Sequence, residues 1–260
     1  LMLSWLNLKK SQRRARKKLL SKLSMAEIEY MMHPLPSVFL MELDIPTEFV
    51  ESCNDYLDEI VTQDDKVSAA HTLVGQIKTG EQLVMDHEDP RLAPFSRFLC
   101  EMGVTYINQF MAQSGQVLDG NRNVEMDELW SVHSYEGDYN PIHDHGTKTI
   151  MGISCTTWTK VPPQIVQGPR PGSQEYGLYN ASGESDGCLC FNYGQSSTWD
   201  RERLKPTQNV VVRPQVGRLY MFPSWMQHMV YPFQGEGERR TVAANINCFP
   251  VEGEQDGHKH

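Results

Sequence analysis

The chain has 260 residues, 39% hydrophobic and 22% charged, enough for one globular domain with a sizeable core. Its formal charge of −9 is unevenly spread: 8 of the 24 Lys/Arg lie between Lys9 and Lys22 with no acid among them, which leaves 16 against all 33 Asp/Glu elsewhere. The acidic body argues against a dedicated nucleic-acid surface, Leu1 to Leu8 are too few for a membrane span, and a basic run that follows apolar residues is not the order of a secretory signal, so a soluble intracellular protein is expected.

In chain order, residues 9–32 are predicted as a helix, with Leu19, Leu20, Leu23 and Ile28 as an irregular apolar stripe under a basic coat. A solvated helix packed on the body is preferred to an arm for nucleic acid or a membrane surface. His33-Pro34-Leu35-Pro36 breaks it, and Ser37 to Leu43 reads as a strand. A second helix is predicted from Pro46 to Val61, with Phe49, Val50, Cys53, Tyr56, Leu57 and Ile60 on its apolar side. Residues 64–90 read as polar loop. A third helix covers roughly 90–113, and its stripe of Phe95, Phe98, Leu99, Met102, Tyr106, Ile107 and Phe110 is core-forming.

From residue 129 the segments become short, β-rich and punctuated by Gly, Pro, Asn and Asp. Strands are predicted at 129–135, 149–158, 188–193, 209–213, 217–222, 228–232 and 240–248. The Pro/Gly/Ser-rich stretch 159–187 has the length of a lid or insertion. The expected fold class is α+β: a double-stranded β-helix of jelly-roll or cupin type over 129–252, a mainly helical support over 34–128 continuous with it, and a basic extension over 1–33. The six cysteines contain no C-x-x-C pair and are expected as reduced, mostly buried thiols.

The chemistry begins at His143-Asp144-His145. Residues i and i+2 of a strand face the same side, so His143 and His145 converge while Asp144 points away. His228 ends another strand-like run after Pro223-Ser224-Trp225 and completes a facial set of three. Such a set leaves coordination positions open and suits non-haem Fe(II). Of the other histidines, His33, His71, His87, His258 and His260 read as structural or surface, and His133 is set apart because it shares strand parity with Tyr135.

Arg239 lies eleven residues after His228. By alternation Arg239, Thr241, Ala243 and Asn245 share one face, and Arg240, Val242, Ala244 and Ile246 the other. A buried Arg demands an anionic partner, and its planar guanidinium suits a carboxylate. Thr241 adds a donor and Ala243 leaves space. The pattern fits a small dicarboxylate beside a metal.

At these residues the chain resembles the 2-oxoglutarate/Fe(II)-dependent oxygenases of bacteria and marine phages, the group related to prolyl 4-hydroxylases. The resemblance rests on Trp130 with Gly137 to His145 and Met151 to Ser154, on Pro214 to His228, and on Arg239 to Asn245. It spans roughly 36–250. It implies a double-stranded β-helix, Fe(II) at His143 and His228, the far carboxylate of 2-oxoglutarate at Arg239 with Thr241, and Tyr135 in the co-substrate pocket. The wider superfamily has His-x-Asp/Glu where this chain has His145. The third ligand is expected to be His145, with Asp144 only if a bulge turns it inward. By the same resemblance, 2-oxoglutarate and O2 are consumed, ascorbate serves as accessory reductant, and a C–H bond of a small-molecule or peptide substrate is hydroxylated. The setting is the cytoplasm of a bacterium or phage-infected cell, and the 159–187 stretch and Trp225/Met226 wall the substrate.

Two other readings compete. Gly137-x5-His143-x-His145 and Gly217-x5-Pro223-x-Trp225-x-x-His228 also resemble cupin motifs, and three-His cupins include dioxygenases that work without 2-oxoglutarate. That reading gives Arg239 and Thr241 no task, and residues 146–152 lack the Glu that cupins generally carry there. The third reading is a non-enzymatic metal-binding jelly roll whose basic arm touches nucleic acid, with salt-dependent retention as its signature.

Overall fold

The computed structural model describes residues 38–115, 122–146, 151–168, 183–194 and 209–250. The predicted basic helix at 9–32, Ser37, and residues 169–182 of the Pro/Gly-rich stretch lie outside them.

The chain enters through β1 (Met41–Asp44), then α1 (Thr47–Ile60), β2 (Glu81–Val84) and α2 (Ala93–Ser114). Pro46 sets the start of α1, and Val50, Cys53, Tyr56, Leu57 and Ile60 at helical spacing are its buried face. Gly115, at φ 70°, takes the left-handed cap that ends α2. Gly103 packs α2 on the sheet, where a Cβ would meet Val124 Cγ1 at 3.5 Å and Ile246 Cγ2 at 3.6 Å, ordinary contact distances.

Eight strands then divide between two layers: β3 (Arg122–Ser134), β4 (Asn140–His143), β5 (Ile153–Lys160), β6 (Leu189–Asn192), β7 (Asn209–Val212), β8 (Arg218–Pro223), β9 (Gln227–Val230) and β10 (Arg239–Pro250), with a short α3 (Pro163–Gln167) after β5. The larger sheet runs β1-β8-β5-β10-β3-β2 and the smaller β4-β9-β6-β7, all neighbours antiparallel. This is the double-stranded β-helix.

Period-two alternation gives the larger sheet two different faces. Leu129, Ile153, Cys155, Leu219, Met221, Val242, Ala244 and Ile246 face the helices and share one core with Leu57, Phe95 and Leu99. Trp158, Tyr220 and Phe222 face inward and pack with Leu189, Phe191, Val212 and Met226 between the sheets. Each such fully buried side chain contributes about 1.5–3 kcal/mol.

Four segments differ from the sequence expectation, the first being β4 (Asn140–His143), which lies outside every predicted strand. Residues 64–90, read as loop, contain β2, which is anchored because the Asp138 carboxylate accepts from the Lys78 and Gly80 amides. The helical support region ends earlier than residue 128, since β3 begins at Arg122 with Val124 and Met126 alternating against polar neighbours. The 159–187 stretch carries β5 to Lys160 and then α3. All six cysteines are free, and all but Cys100 are buried. Burial pushes the Cys53 and Cys155 thiols up to about 12, so neither is a ready nucleophile.

Candidate metal and carboxylate site

His143 ends β4 and His228 stands opposite it on β9 as its register partner. The β4–β9 pairing is irregular between Asn140 and His143, and beyond the strand the His145 amide donates to the Ser224 carbonyl at 2.9 Å. Their three rings are neighbours, with centroids 4.3 Å apart for His143 and His228, 4.8 Å for His145 and His228, and 5.4 Å for His143 and His145. One ligand atom from each lies within 4.8 Å of the others. Asp144 is exposed and is not in this cluster.

Burial lowers the pKa of all three rings. It takes His228 down to about 3, helped by His143 and His145, and His145 down to about 4, helped by His143. His143 moves in the same direction for the same reason. The imidazoles are therefore neutral at pH 7, the form that ligates a metal. His143 Nδ1 lies 2.7 Å from the Pro141 carbonyl, and His228 Nδ1 3.0 Å from the Met226 carbonyl. A carbonyl only accepts, so both Nδ1 atoms carry hydrogen, which leaves Nε2 as the lone-pair nitrogen of each ring.

The same cavity is lined by Arg239, Thr241, Ala243, Ser134, Asn140, Trp130 and Phe222. At about 50 Å³ over the positions a water centre can take, it is a narrow slot. Arg239 is 1% exposed, its Nη1 donates to the Gly187 and Tyr231 carbonyls at 3.0 Å each, and its guanidinium lies 5.4 Å from the Phe233 ring centroid. Burial pulls its pKa down to about 10, so it remains a cation. Among the described residues no carboxylate makes an ion pair with it, and its Nε has no partner. Ser134 Oγ and Asn140 Oδ1 are also buried without partners. Of five such atoms among the described residues, these three line this one cavity. Asp138 and Asp186 balance part of the Arg239 charge, but its Nε is an unused donor beside a neutral-imidazole cluster, and a carboxylate would satisfy it.

Of the residues singled out in the sequence, His143, His145, His228, Arg239 and Thr241 thus line one cavity. Tyr135 does not: Ser134 is the register partner of Arg239, so Tyr135 has the opposite parity, and its side chain senses Glu238 and Arg240 instead. Trp225 is likewise outside this cavity. It is 54% exposed and borders an apolar hollow with Tyr106, Ile107 and Phe110, while Met226 is buried between the sheets. His133 is structural, held by Ser131 and by Glu238 at 2.6 Å. Arg240 lies on the helix side and pairs with Glu238 and Asp58. Ser134 and Asn140 were not legible as site residues, because their place depends on a register that only the folded pairing fixes. A roomier cavity of about 490 Å³ shares Leu73 and Trp130 with the slot.

Comparison with known proteins finds similarity over part of the chain. Residues 128–245 match the family model described as "Putative 2OG-Fe(II) oxygenase". No curated protein matches the chain. Among solved structures, a non-haem α-ketoglutarate-dependent carbocyclase of nogalamycin biosynthesis is similar at 10% identity, covering 84% of this chain and 84% of its own, with a TM-score of 0.52. A Pseudomonas putida prolyl-4-hydroxylase is similar at 13% identity over 80% of this chain and 91% of its own, TM-score 0.48. HygX of Streptomyces hygroscopicus, with nickel and 2-oxoglutarate bound, is similar at 12% identity over 82% and 83%, TM-score 0.49. At such identities the carbocyclase speaks to the fold alone.

Proposed function

We propose that this chain, which carries the 2-oxoglutarate/Fe(II) oxygenase family segment at 128–245, is an Fe(II)- and 2-oxoglutarate-dependent oxygenase that hydroxylates a C–H bond in the manner of prolyl hydroxylases. The observation that supports this most is the pairing, in one slot, of the His143–His145–His228 cluster with a buried Arg239 whose Nε has no partner. The three imidazoles would hold Fe(II), and the far carboxylate of 2-oxoglutarate would take Arg239, with the Ser134 and Thr241 hydroxyls as neighbouring donors.

Bound Fe(II), with 2-oxoglutarate and O2, would supply the oxidation: one oxygen atom leaves in succinate as CO2 departs, and the other enters the substrate as hydroxyl. The protein's part is to orient and to exclude water. Arg239 fixes the co-substrate's far end. Trp130, Phe222 and Leu189 give the slot apolar walls. The adjoining 490 Å³ cavity is the place we assign to the primary substrate, a small molecule or peptide segment, since it shares Leu73 and Trp130 with the slot.

The test is turnover and binding together. Purified protein with Fe(II), ascorbate and O2 should convert 2-oxoglutarate to succinate, faster when a substrate is present, with proline-containing peptides tried first. Protein that holds Fe(II) yet does not bind 2-oxoglutarate would instead be a three-His dioxygenase of the cupin kind.

A further inference from the structure

Two of the three histidines are oriented by backbone carbonyls, as described above. His145 is different. Its Nδ1 lies 3.0 Å from Asn245 Oδ1 and 2.9 Å from Ser154 Oγ, and the Ser154 hydroxyl donates to the same Asn245 Oδ1 at 2.8 Å. On the other side, Asn245 Nδ2 donates to Glu128 Oε2 at 3.2 Å. Asn245 and Ser154 are buried, at 4% and 0% exposure, whereas Glu128 is exposed. The three residues are cross-strand partners on β5, β10 and β3, and the β3–β10 ladder breaks register right after Asn245, with Ile246 opposite Met126. A bulge of this kind re-aims a side chain.

The logic of donors and acceptors runs one way along this row. An ionised carboxylate only accepts, so Glu128 requires the NH2 of Asn245 to face it. The amide oxygen then faces His145 and Ser154. An amide oxygen also only accepts, so the His145 Nδ1 must carry the hydrogen, and its Nε2 keeps a lone pair. A neutral imidazole has one such lone pair, and the wrong tautomer would aim N–H at the cluster. Partners of this kind commonly set tautomer and ring orientation at metal-binding histidines.

We propose that Asn245, oriented by Glu128, is the positioning residue that fixes His145 as an Nε2 donor, so that an imidazole can take the third place in the metal site. This rests on the oxygenase reading for its purpose, but not for its geometry. It differs from the roles of Arg239 and Thr241 on the same strand face, which address the co-substrate.

Two measurements on the full-length protein test it. The first is the ring-nitrogen NMR spectrum of metal-free protein with labelled histidine at neutral pH. The second is titration with Co(II), followed by its visible ligand-field absorption. Wild type should show His143, His145 and His228 all protonated at Nδ1. Asn245→Leu should shift His145 to a mixture or to the Nε2–H form, leave His143 and His228 unchanged as internal controls, and weaken Co(II) by about 10–100-fold. Glu128→Ala, a surface change, should act in the same direction with a smaller loss. Asn245→Asp, which keeps an acceptor toward His145, should restore the Nδ1–H tautomer. A wild-type His145 protonated at Nε2 would overturn the proposal, as would unchanged tautomer and affinity in both Asn245→Leu and Glu128→Ala. If the tautomers behave as expected but wild type takes up no Co(II), the oxygenase reading fails and the orienting role of Asn245 stands.

Discussion

Adjacent arginines on one strand have opposite fates, and period two decides which. Arg239 faces the slot with an unused Nε, while Arg240, 3% exposed, is saturated by Glu238, Asp58 and Asn54 on the helix side. Arg239→Ala is therefore expected to cost about 2–5 kcal/mol in 2-oxoglutarate binding, by calorimetry on metal-loaded protein, because it leaves a buried carboxylate unpaired. Arg240→Ala should leave that affinity nearly unchanged and lower folding stability by about 2–3 kcal/mol in urea titration. The opposite order would mean that the strand register is wrong by one residue. This parity was legible from Arg239 to Asn245 because alternation is a property of the chain alone. Asn245, Ser134 and Asn140 were not legible in their roles, since each depends on which residue of another strand stands beside it. Tyr135 was misplaced for the same reason: its motif neighbours point to the site, but its parity does not.

At the scale of elements, β10 is held by an ionic group as well as by its ladder. Burial alone would raise Glu238, yet hydrogen bonds from His133 and Arg240 and the Arg240 charge bring it from an ordinary 4.5 down to about 2. A depressed carboxyl stabilises the fold above its unfolded pKa and loses that contribution as pH falls through the folded one. Stability, read as the urea midpoint, should then fall between pH 4.5 and pH 2 by on the order of 2–3 kcal/mol from this group. Glu238→Gln should flatten that window and be less stable at pH 7. A mutant as steep as wild type between those limits would remove Glu238 from the account. The β2 edge gives a steric counterpart: a Cβ on Gly80 would lie 1.7 Å from the His133 carbonyl oxygen, which is backbone and cannot turn aside. Gly80→Ala should lower thermal stability by upwards of about 3 kcal/mol, at the severe end for one substitution. A near-neutral result would show that β2 pairs with β3 less closely than described. The helices α1 and α2 were plain in the sequence because five or more apolar residues repeat at helical spacing, whereas β2 offers only Leu83 and Val84 to a period-two reading. The first half of β3 did carry a signal, Val124 and Met126 between polar residues, that the helical context obscured.

For the whole molecule, the double-stranded β-helix brings together residues far apart in sequence: β4 and β9 supply His143 and His228 from the smaller sheet, the segment after β4 supplies His145, and β3 and β10 supply Ser134, Arg239 and Thr241 from the larger. The α+β class was readable from the change in texture near residue 129, and the order of the strands from the punctuation between them. The pairing of two sheets across one slot was readable only through resemblance, because no local pattern encodes which distant strand is a neighbour. Among the described residues no helix is long and apolar enough to cross a membrane. The central claim is that this slot holds a divalent metal and 2-oxoglutarate at once. The most direct measurement is a crystal structure grown without oxygen in Mn(II) and 2-oxoglutarate. One metal is expected on His143, His145 and His228, with the far carboxylate of 2-oxoglutarate on Arg239. Metal bound through Asp144 with His145 turned away, or 2-oxoglutarate absent from Arg239 while the metal is in place, would contradict it.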